Sequence, residues 1–405
     1  MPAAWKKNKN LKPEVILKRI ESIRTVDSEG KTSFSGFELK EALAVLHTMV
    51  DFRGSADELN KPNTVWRAVA KVVGPMTSDS FMKVLNEEIV KQKAVKDTEF
   101  RILTALSLDQ SLFPKALTID GSKLELLPNH YGKRYAAREA LIENAGLPVP
   151  SLHPDYCRVI VSVKAKGVFG AITKALKVLD VQRAIWCMLG NPNMQFGSRD
   201  WIPINVIRLG TVHSIHRPSG EPATQEVWFE PNFVEAPRFR PAKPKQFREN
   251  AAYLMRRLFD SPYHEKLVEA LLRYVRAFDE RDQNTAFIKV WGALETLACP
   301  GSANNEQIVR RCAFLHKDAQ YHRQVLEHLR EYRNQSVHAG DQAELAKTHC
   351  YQAQGYFASL FCFHLRNVRT FTSLDDANSF LDLPRDIELL RRREKMARKA
   401  IRFVM

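Results

Sequence analysis

The segment Leu329-Arg-Glu-Tyr-Arg-Asn-Gln-Ser-Val-His-Ala-Gly340 decides how the C-terminal third of the chain is interpreted. A pattern of helical spacing runs into it, and Gly340 is a helix stop signal. Asp341, followed three residues later by Glu344, resembles the N-cap pair of another helix. The segment therefore predicts the end of one helix and the start of the next, with polar side chains close to the turn.

Helical patterns continue on both sides of this segment. From Glu249 onward the spacing of apolar residues predicts helices at about 249–259, 262–279, 282–298, 305–316, 321–334, 342–370 and 385–403. The turns between them are short, which favours a compact antiparallel bundle. We therefore predict a helical bundle over residues 249–405, ending in a basic C-terminal helix.

The preceding residues predict a different organisation. Residues 1–114 are expected to be a helical N-terminal region, and residues 115–230 a mixed α/β region. The second expectation rests on a hairpin that turns at Asp120-Gly121 and on β-rich stretches at 157–163, 204–215 and 225–229, with a helix at 168–189. The whole chain is thus predicted to be α+β and mostly helical.

A proline-rich basic stretch, residues 231–248, is predicted to link the α/β region to the bundle, because proline cannot continue helices or inner strands. Two basic groups are candidate RNA contacts. They are the linker residues Arg238, Arg240, Lys243 and Lys245, and the tail residues Arg391, Arg392 and Arg393. A solvated linker and a solvated helix face explain these charges equally well.

The charge of the chain points to polyanionic partners. It has 405 residues and a formal net charge of +15, which favours phosphate-bearing molecules through counterion release. This charge alone does not choose between RNA, DNA and a membrane surface. No apolar run approaches twenty residues, so we expect no membrane span. The first ten residues lack the apolar core of a secretory signal.

The cysteines indicate a cytoplasmic protein with reduced thiols. They are scattered, without a C-x-x-C pair, at Cys157, Cys187, Cys299, Cys312, Cys350 and Cys362. Such scatter fits neither a disulfide framework nor a zinc site. We therefore expect no metal site and no cofactor.

Three polar residues of the opening segment suit the cleavage of RNA. RNA carries its own nucleophile, the 2′-hydroxyl group, so a protein need only move protons and stabilise charge on phosphorus. His338 titrates near neutrality and is the candidate for proton transfer. Arg333 offers a forked, permanently charged donor to phosphate, and Asn334 is a candidate for orienting either group.

The spacing of Arg333 and His338 is not specific by itself. The pairs Arg208/His213, Arg311/His316 and Arg323/His328 have the same separation. On an unbroken helix, five residues turn two side chains about 140° apart. We therefore expect the backbone to turn between Arg333 and His338, with the nearby Ala339-Gly340-Asp341 providing the means, so that both side chains reach one substrate.

The context of the pair supports a family resemblance. Arg333-Asn-Gln-Ser-Val-His338 resembles the Arg-polar-x-x-x-His motif of the HEPN superfamily of ribonucleases and nucleic-acid-binding helical bundles. The upstream Phe287-Ile-Lys-Val-Trp-Gly-Ala-Leu-Glu-Thr-Leu297 resembles the helix that bears the acidic residue of that family, here Glu295. The order of segments is most similar to the ApeA-like branch, which is associated with anti-phage defence. The resemblance covers residues 250–370.

The resemblance implies a function and a partner. It implies a metal-independent endoribonuclease that leaves a 2′,3′-cyclic phosphate and acts as a toxin or defence effector, with tRNA as one candidate substrate. It further implies a homodimer in which two copies of Arg333, Asn334 and His338 face one cleft, supported by Glu295 and Tyr332. The N-terminal region would then recognise RNA or a trigger, or restrain the nuclease.

Two other classes of function stay open at this point. A non-catalytic HEPN module that binds RNA or acts as a scaffold would have the same bundle, because members of the superfamily can lack activity. A DNA-binding regulator would suit the charge, although no recognition helix is evident. The intact Arg-Asn-x-x-x-His pattern favours the enzyme, since a scaffold does not need it.

Overall fold

The computed structural model describes residues 2–26, 32–36, 38–53, 59–128, 130–146, 155–192, 194, 202–301, 305–339 and 345–404, without the side chains of residues 305 and 337–339. These residues are 57% helical and 14% strand. The predicted class, α+β with helix in excess, is therefore confirmed.

Residues 3–94 form a helical unit with its own core. Its elements are β1 (Ala3–Trp5), α1 (Pro13–Ser22), β2 (Arg24–Val26), β3 (Thr32–Phe34), α2 (Glu38–Met49), β4 (Val50–Phe52), α3 (Lys61–Lys71) and α4 (Ser78–Ala94). Thr77 and Ser80 form a capping box at the start of α4. Leu17, Leu46 and Phe81 are fully buried in a cluster that the four helices share. Burial of this apolar face holds the unit together.

A central strand corrects the predicted N-terminal region. Helical structure was expected up to residue 114, but α4 ends at Ala94 and residues 98–106 form strand β5 (Thr98–Leu106). β5 pairs with strands on both sides, and its last five residues are all buried. Phe100, Ile102 and Thr104 are aromatic or β-branched residues that suit such a position. The sheet pairing outweighs the charged, helix-like local pattern.

Over the described ranges the sheet has six strands that each pair antiparallel to their neighbours, in the order β10-β9-β5-β8-β7-β6. The other strands are β6 (Ala116–Ile119), β7 (Ser122–Leu127), β8 (Cys157–Ala165), β9 (Val212–His216) and β10 (Trp228–Phe229). The predicted hairpin is confirmed, since β6 and β7 pair across Asp120 and Gly121, both of which have positive φ. The strand expected at 204–215 is shorter and covers only β9.

The described residues contain ten more α-helices. They are α5 (Ala137–Asn144), α6 (Val168–Gly190), α7 (Pro244–Phe259), α8 (His264–Ala277), α9 (Gln283–Ala298), α10 (Asn305–Phe314), α11 (Ala319–Ala339), α12 (Ala346–Arg366), α13 (Leu374–Leu381) and α14 (Ile387–Val404). Helix α9 packs against α8, α11 and α12 and is the centre of the bundle. Fully buried Phe287, Trp291 and Leu294 form its core face.

One apolar core joins the sheet to the bundle. The buried cluster runs from β5 and β8 through α6 to α8, α9 and α12 without a break, whereas the cluster of residues 3–89 is separate. The expected division at residues 114 and 230 therefore differs from the division of the cores, which falls near residue 96. A helix against a sheet face must bury its apolar side, and α6 does so on both the sheet and α8.

The predicted linker, residues 231–248, is packed rather than extended through solvent. Phe239 forms a bridge with Leu108, and its ring lies against Phe113 and Phe247. From Pro244 onward the stretch is already helix α7. Three clustered aromatic rings bury enough apolar surface to hold the segment against the sheet, which corrects the expectation of a free linker.

Candidate active site

The motif residues lie on one uninterrupted helix. α11 runs from Ala319 to Ala339 and therefore includes Arg333, Asn334 and His338. Its start is capped by Asp318, whose carboxylate accepts a hydrogen bond from the backbone of Tyr321. The expected backbone turn between Arg333 and His338 is therefore wrong. The intervening residues contain neither glycine nor proline, so nothing in them ends the helix before Gly340.

The continuous helix sets the relative direction of the motif positions. With 3.6 residues per turn, positions 333 and 338 are about 140° apart around the axis. The backbone of His338 belongs to α11, while its side chain lies outside the described residues. One copy of α11 therefore does not direct positions 333 and 338 toward the same substrate.

Helices α9 and α11 bring together three of the predicted residues. Arg333 Nη2 donates to Glu295 Oε1 at 3.4 Å, and Arg333 Nη1 donates to Asn334 Oδ1 at the same distance. Both contacts are long for charged hydrogen bonds. The side chains of Arg333 and Glu295 keep 26% and 34% of their exposure. The guanidinium is therefore positioned but still accessible to a ligand.

Arg333 and Glu295 border a surface pocket of about 460 Å³. The other lining residues come from α8, from α9 and from the turn after α9: Lys266, Glu269, Arg273, Gly292, Thr296, Cys299, Pro300 and Gly301. Three cations and two carboxylates give the lining a net charge of +1. Arg273 and Lys266 both contact Glu269, at 3.0 and 3.3 Å, and Arg333 contacts Glu295 at 3.4 Å, so each of the three cations has a carboxylate partner within the lining.

Tyr332 does not join this pocket. It is 7% exposed and faces the core, where its hydroxyl donates to Asn284 Oδ1. Its ring lies 5.0 Å from that of Phe287 and 4.4 Å from that of His349. Adjacent positions on a helix are about 100° apart, which separates Tyr332 from Arg333. Its expected supporting role is thus one of packing and hydrogen bonding within the bundle.

A pair of histidines lies beside Tyr332. His328 Nε2 and His349 Nε2 are 3.2 Å apart, between α11 and α12. Burial, followed by repulsion from His328, lowers the pKa of His349 to about 4, so this imidazole is neutral at pH 7. The sequence indicated only one side of this pair, because the spacing of four places His328 on the same face of α11 as Tyr332.

The candidate RNA-binding residues lie on three different elements. Arg238 and Arg240 flank the bridged Phe239, and Arg240 Nε lies 2.9 Å from Asp109 Oδ2. Lys243 and Lys245 are exposed at the start of α7. The tail residues Arg391, Arg392 and Arg393 are exposed on α14, which has no buried residue.

A buried network of charges was not anticipated from the sequence. Arg183 on α6 is fully buried and binds Asp180 and Asp279, with contacts of 2.6 to 2.9 Å. Arg276 on α8 binds Asp180 at 2.6 Å and Glu230 at 2.7 Å. The network ties α6 to α8 and to the strand region. Its members are up to 96 residues apart in the chain, so no local pattern predicts them.

His213 extends this network into the sheet. Its Nε2 lies 2.9 Å from Glu230 Oε1, and its Nδ1 lies 2.7 Å from Thr104 Oγ1. Burial alone would raise the pKa of Glu230, but the hydrogen bond to His213 and the charge of Arg276 lower it to about 2. The carboxylate is therefore ionised at neutral pH, and the pocket beside it measures only about 20 Å³. This size favours a structural role.

Within the described ranges, no three His, Cys, Asp or Glu side chains are grouped so that they could bind a metal ion. Likewise, none of the helices described is both long enough and apolar enough to cross a bilayer.

Comparisons of the chain with protein-family models, with curated proteins and with solved structures find no match.

Proposed function

We propose that the protein is a metal-independent endoribonuclease whose active centre is formed by Arg333, Asn334 and His338. The observation that carries the proposal is the placement of Arg333. Its guanidinium is held loosely by Glu295 at the edge of an open pocket, and Asn334 and His338 follow on the same helix. A partly exposed arginine with long contacts can exchange them for a phosphate group.

The chemistry follows from the residue types. The 2′-oxygen of the substrate attacks the adjacent phosphorus while His338 accepts its proton. The bond from phosphorus to the 5′-oxygen breaks, and that oxygen receives a proton from a second imidazole. Arg333 stabilises the charge on the phosphorane oxygens, and Asn334 donates a hydrogen bond to them. The products are a 2′,3′-cyclic phosphate and a 5′-hydroxyl end.

The proposal includes a homodimer for a geometric reason. Positions 333 and 338 diverge by about 140° on the continuous α11, so one chain does not direct both toward the same phosphate. A second copy of α11, related by a twofold axis, would supply its own His338 next to the Arg333 of the first copy. The two imidazoles would then act as base and acid.

Glu295 is proposed as a positioning residue rather than as a participant in the reaction. It lies on α9, in the centre of the bundle, and limits the directions that the Arg333 side chain can adopt. Replacing it with glutamine retains the shape but removes the charge attraction. The variant Glu295→Gln should therefore weaken substrate affinity or orientation less than any change at Arg333 does.

A non-catalytic RNA-binding or scaffolding module is the alternative function. The observation that favours it is the mixed charge of the Arg333 pocket, where two carboxylates oppose three cations. A role as toxin or anti-phage effector, with tRNA as one candidate substrate, is part of the proposal only through the HEPN resemblance. Recognition of a trigger by the N-terminal region is likewise proposed only from the HEPN resemblance.

Cleavage of a defined RNA in EDTA tests the proposal. Purified protein and the variants Arg333→Gln, Asn334→Ala and His338→Ala are incubated with end-labelled RNA, and initial rates are compared. Loss of the proton-transfer group or of the phosphate donor should each lower the rate by about a hundredfold or more.

A matched control uses the same helix. Arg330 contacts Glu327 at 2.9 Å on α11 and does not line the pocket, so Arg330→Gln changes the same charge elsewhere. This variant should cleave at the rate of the unmodified protein. RNA that is bound but never cut, with equal affinity for the unmodified and His338→Ala proteins, would support the non-catalytic alternative.

A further inference from the structure

A second pocket lies where the sheet region meets the start of α12. It measures about 420 Å³, within the range of small-ligand sites. Its described lining comes from Pro192, from residues 202–206 and 208, from residues 236–240 and from two residues of α12, Lys347 and Tyr351. It shares no lining residue with the Arg333 pocket.

The described lining of this pocket carries positive charge without acidic residues. Arg208, Arg238, Arg240 and Lys347 contribute four cations, and no aspartate or glutamate belongs to the described lining. Asp109, just outside it, pairs with Arg240 at 2.9 Å and also feels the charge of Arg238. The contrast with the Arg333 pocket, which holds two glutamates, is clear. Such a lining attracts an anion.

Arg208 and Arg238 differ in how many of their N–H donors already form hydrogen bonds within the protein. The guanidinium of Arg208 donates to backbone carbonyls of residues 203, 205, 234 and 235, so it contributes charge and rigidity rather than free donors. Arg238 stands beside Phe239, whose backbone is bonded to Ser107 and Asp109. The bridge therefore holds Arg238 at the rim of the pocket without using its guanidinium.

Lys347 supplies an independent observation. Its Nζ is enclosed and has no hydrogen-bond partner among the described residues. An enclosed ammonium without a partner is costly, and an anion removes that cost. Lys347 is also the second residue of α12, a helix of 21 residues, so the positive end of the helix dipole adds to its charge.

Apart from Asn205, the remaining lining is apolar. It includes Ile202, Ile204, Val206, Pro237 and Tyr351. An inorganic anion would leave these surfaces unused, whereas a flat ring of low polarity would cover them. The volume and the two kinds of lining together fit a phosphate group attached to a heterocyclic base.

We propose that this pocket binds a free nucleotide, with its phosphates at Lys347 and Arg238 and its base against the apolar residues. The site lies apart from the Arg333 pocket, but Lys347 follows His338 by nine residues in the chain. α12 also packs on α9, which bears Glu295. A bound nucleotide would therefore act on the helix pair that flanks the candidate active centre.

Titration calorimetry of the full chain tests the proposal, with ATP, inorganic pyrophosphate and adenosine as separate probes. ATP should bind with a stoichiometry of one per chain and more tightly than about 1 mM. Pyrophosphate and adenosine should each bind at least tenfold more weakly than ATP. Lys347→Met and Arg238→Gln should each weaken ATP binding at least tenfold, while the exposed strand variant Lys164→Met retains it.

Thermal unfolding without ligand guards against misfolded variants. Because Lys347→Met removes an enclosed charge without a partner, its midpoint should equal or exceed that of the unmodified protein. Absence of saturable ATP binding would overturn the proposal. So would binding that Arg333→Gln abolishes and Lys347→Met leaves intact, because the nucleotide would then occupy the other pocket. Equal affinities for pyrophosphate and ATP would refute a base-binding site.

Discussion

Replacing Arg183 with methionine should strongly destabilise the region of residues 97–404. Arg183 is fully buried and donates four hydrogen bonds to Asp180 and Asp279, at 2.6 to 2.9 Å, and a fifth to the carbonyl of Ile207 at 3.3 Å. Methionine has similar length and no charge. The change therefore leaves Asp180 and Asp279, whose side chains are 4% and 17% exposed, with Arg276 in contact with both and Arg208 farther from Asp279.

The size of the effect follows from the unpaired charge. Removing one partner of a buried ion pair costs about 3–5 kcal/mol, since the other charge keeps its desolvation cost. The second arginine, Arg276, lies 2.6 Å from Asp180 but 3.8 Å from Asp279, so Asp279 loses most. For a unit of this size the midpoint of thermal unfolding should fall by about 5–8 °C.

Urea denaturation followed by circular dichroism measures this difference. The matched control is Arg273→Met, because Arg273 is on the same helix as Arg276 and pairs with Glu269 at the surface. An exposed pair contributes about 0–1 kcal/mol. Should Arg183→Met change the free energy of unfolding no more than Arg273→Met does, the network does not hold α6 to α8 as we describe.

Three further predictions concern stability and the limits of the site. The pKa of His349 is lowered from 6.5 to about 4, so its contribution to stability is complete above pH 6.5 and is lost as the pH falls to 4. The variant His349→Gln should therefore reduce the pH dependence of the free energy of unfolding, measured by urea titration, by up to about 3 kcal/mol. Tyr332→Phe should lower the free energy of unfolding by about 1–2 kcal/mol, because the hydrogen bond to Asn284 is lost, and should leave the RNA cleavage rate unchanged. A tenfold lower cleavage rate would show that Tyr332 takes part in the active centre. A chain of residues 97–404 should unfold cooperatively by itself, because its core is separate from that of residues 3–89; scattered, non-cooperative melting would contradict this division.

Local signals in the sequence predicted local structure. The Asp120-Gly121 hairpin, helix α6 and the helices of the bundle lie close to their expected places, because periodicity, capping and turn residues act over a few positions. The same signals gave a wrong prediction at β5, because charged residues that suit a helix surface lie on this central strand. Which strand becomes central depends on partners elsewhere in the chain.

The candidate site was predictable only where its residues belong to local sequence motifs. Arg333 and Asn334 were identified by their local motif, and Glu295 by the family pattern of a separate helix; the structure brings all three together. The continuous helix through position 338 was not predicted, because the helical pattern was expected to end near residue 334. The pocket at Lys347 was missed entirely, since its lining comes from three segments distant in sequence.

The most direct measurement of the central claim is the cleavage of one RNA in two forms, in EDTA, with product ends identified by mass spectrometry. One form is unmodified, and the other has a 2′-O-methyl group at the nucleotide where cleavage occurs. If Arg333 and His338 promote attack by the 2′-hydroxyl, the unmodified RNA is cut to a 2′,3′-cyclic phosphate and the methylated RNA stays intact. Cutting of the methylated RNA, or products with a free 3′-hydroxyl, would contradict the account.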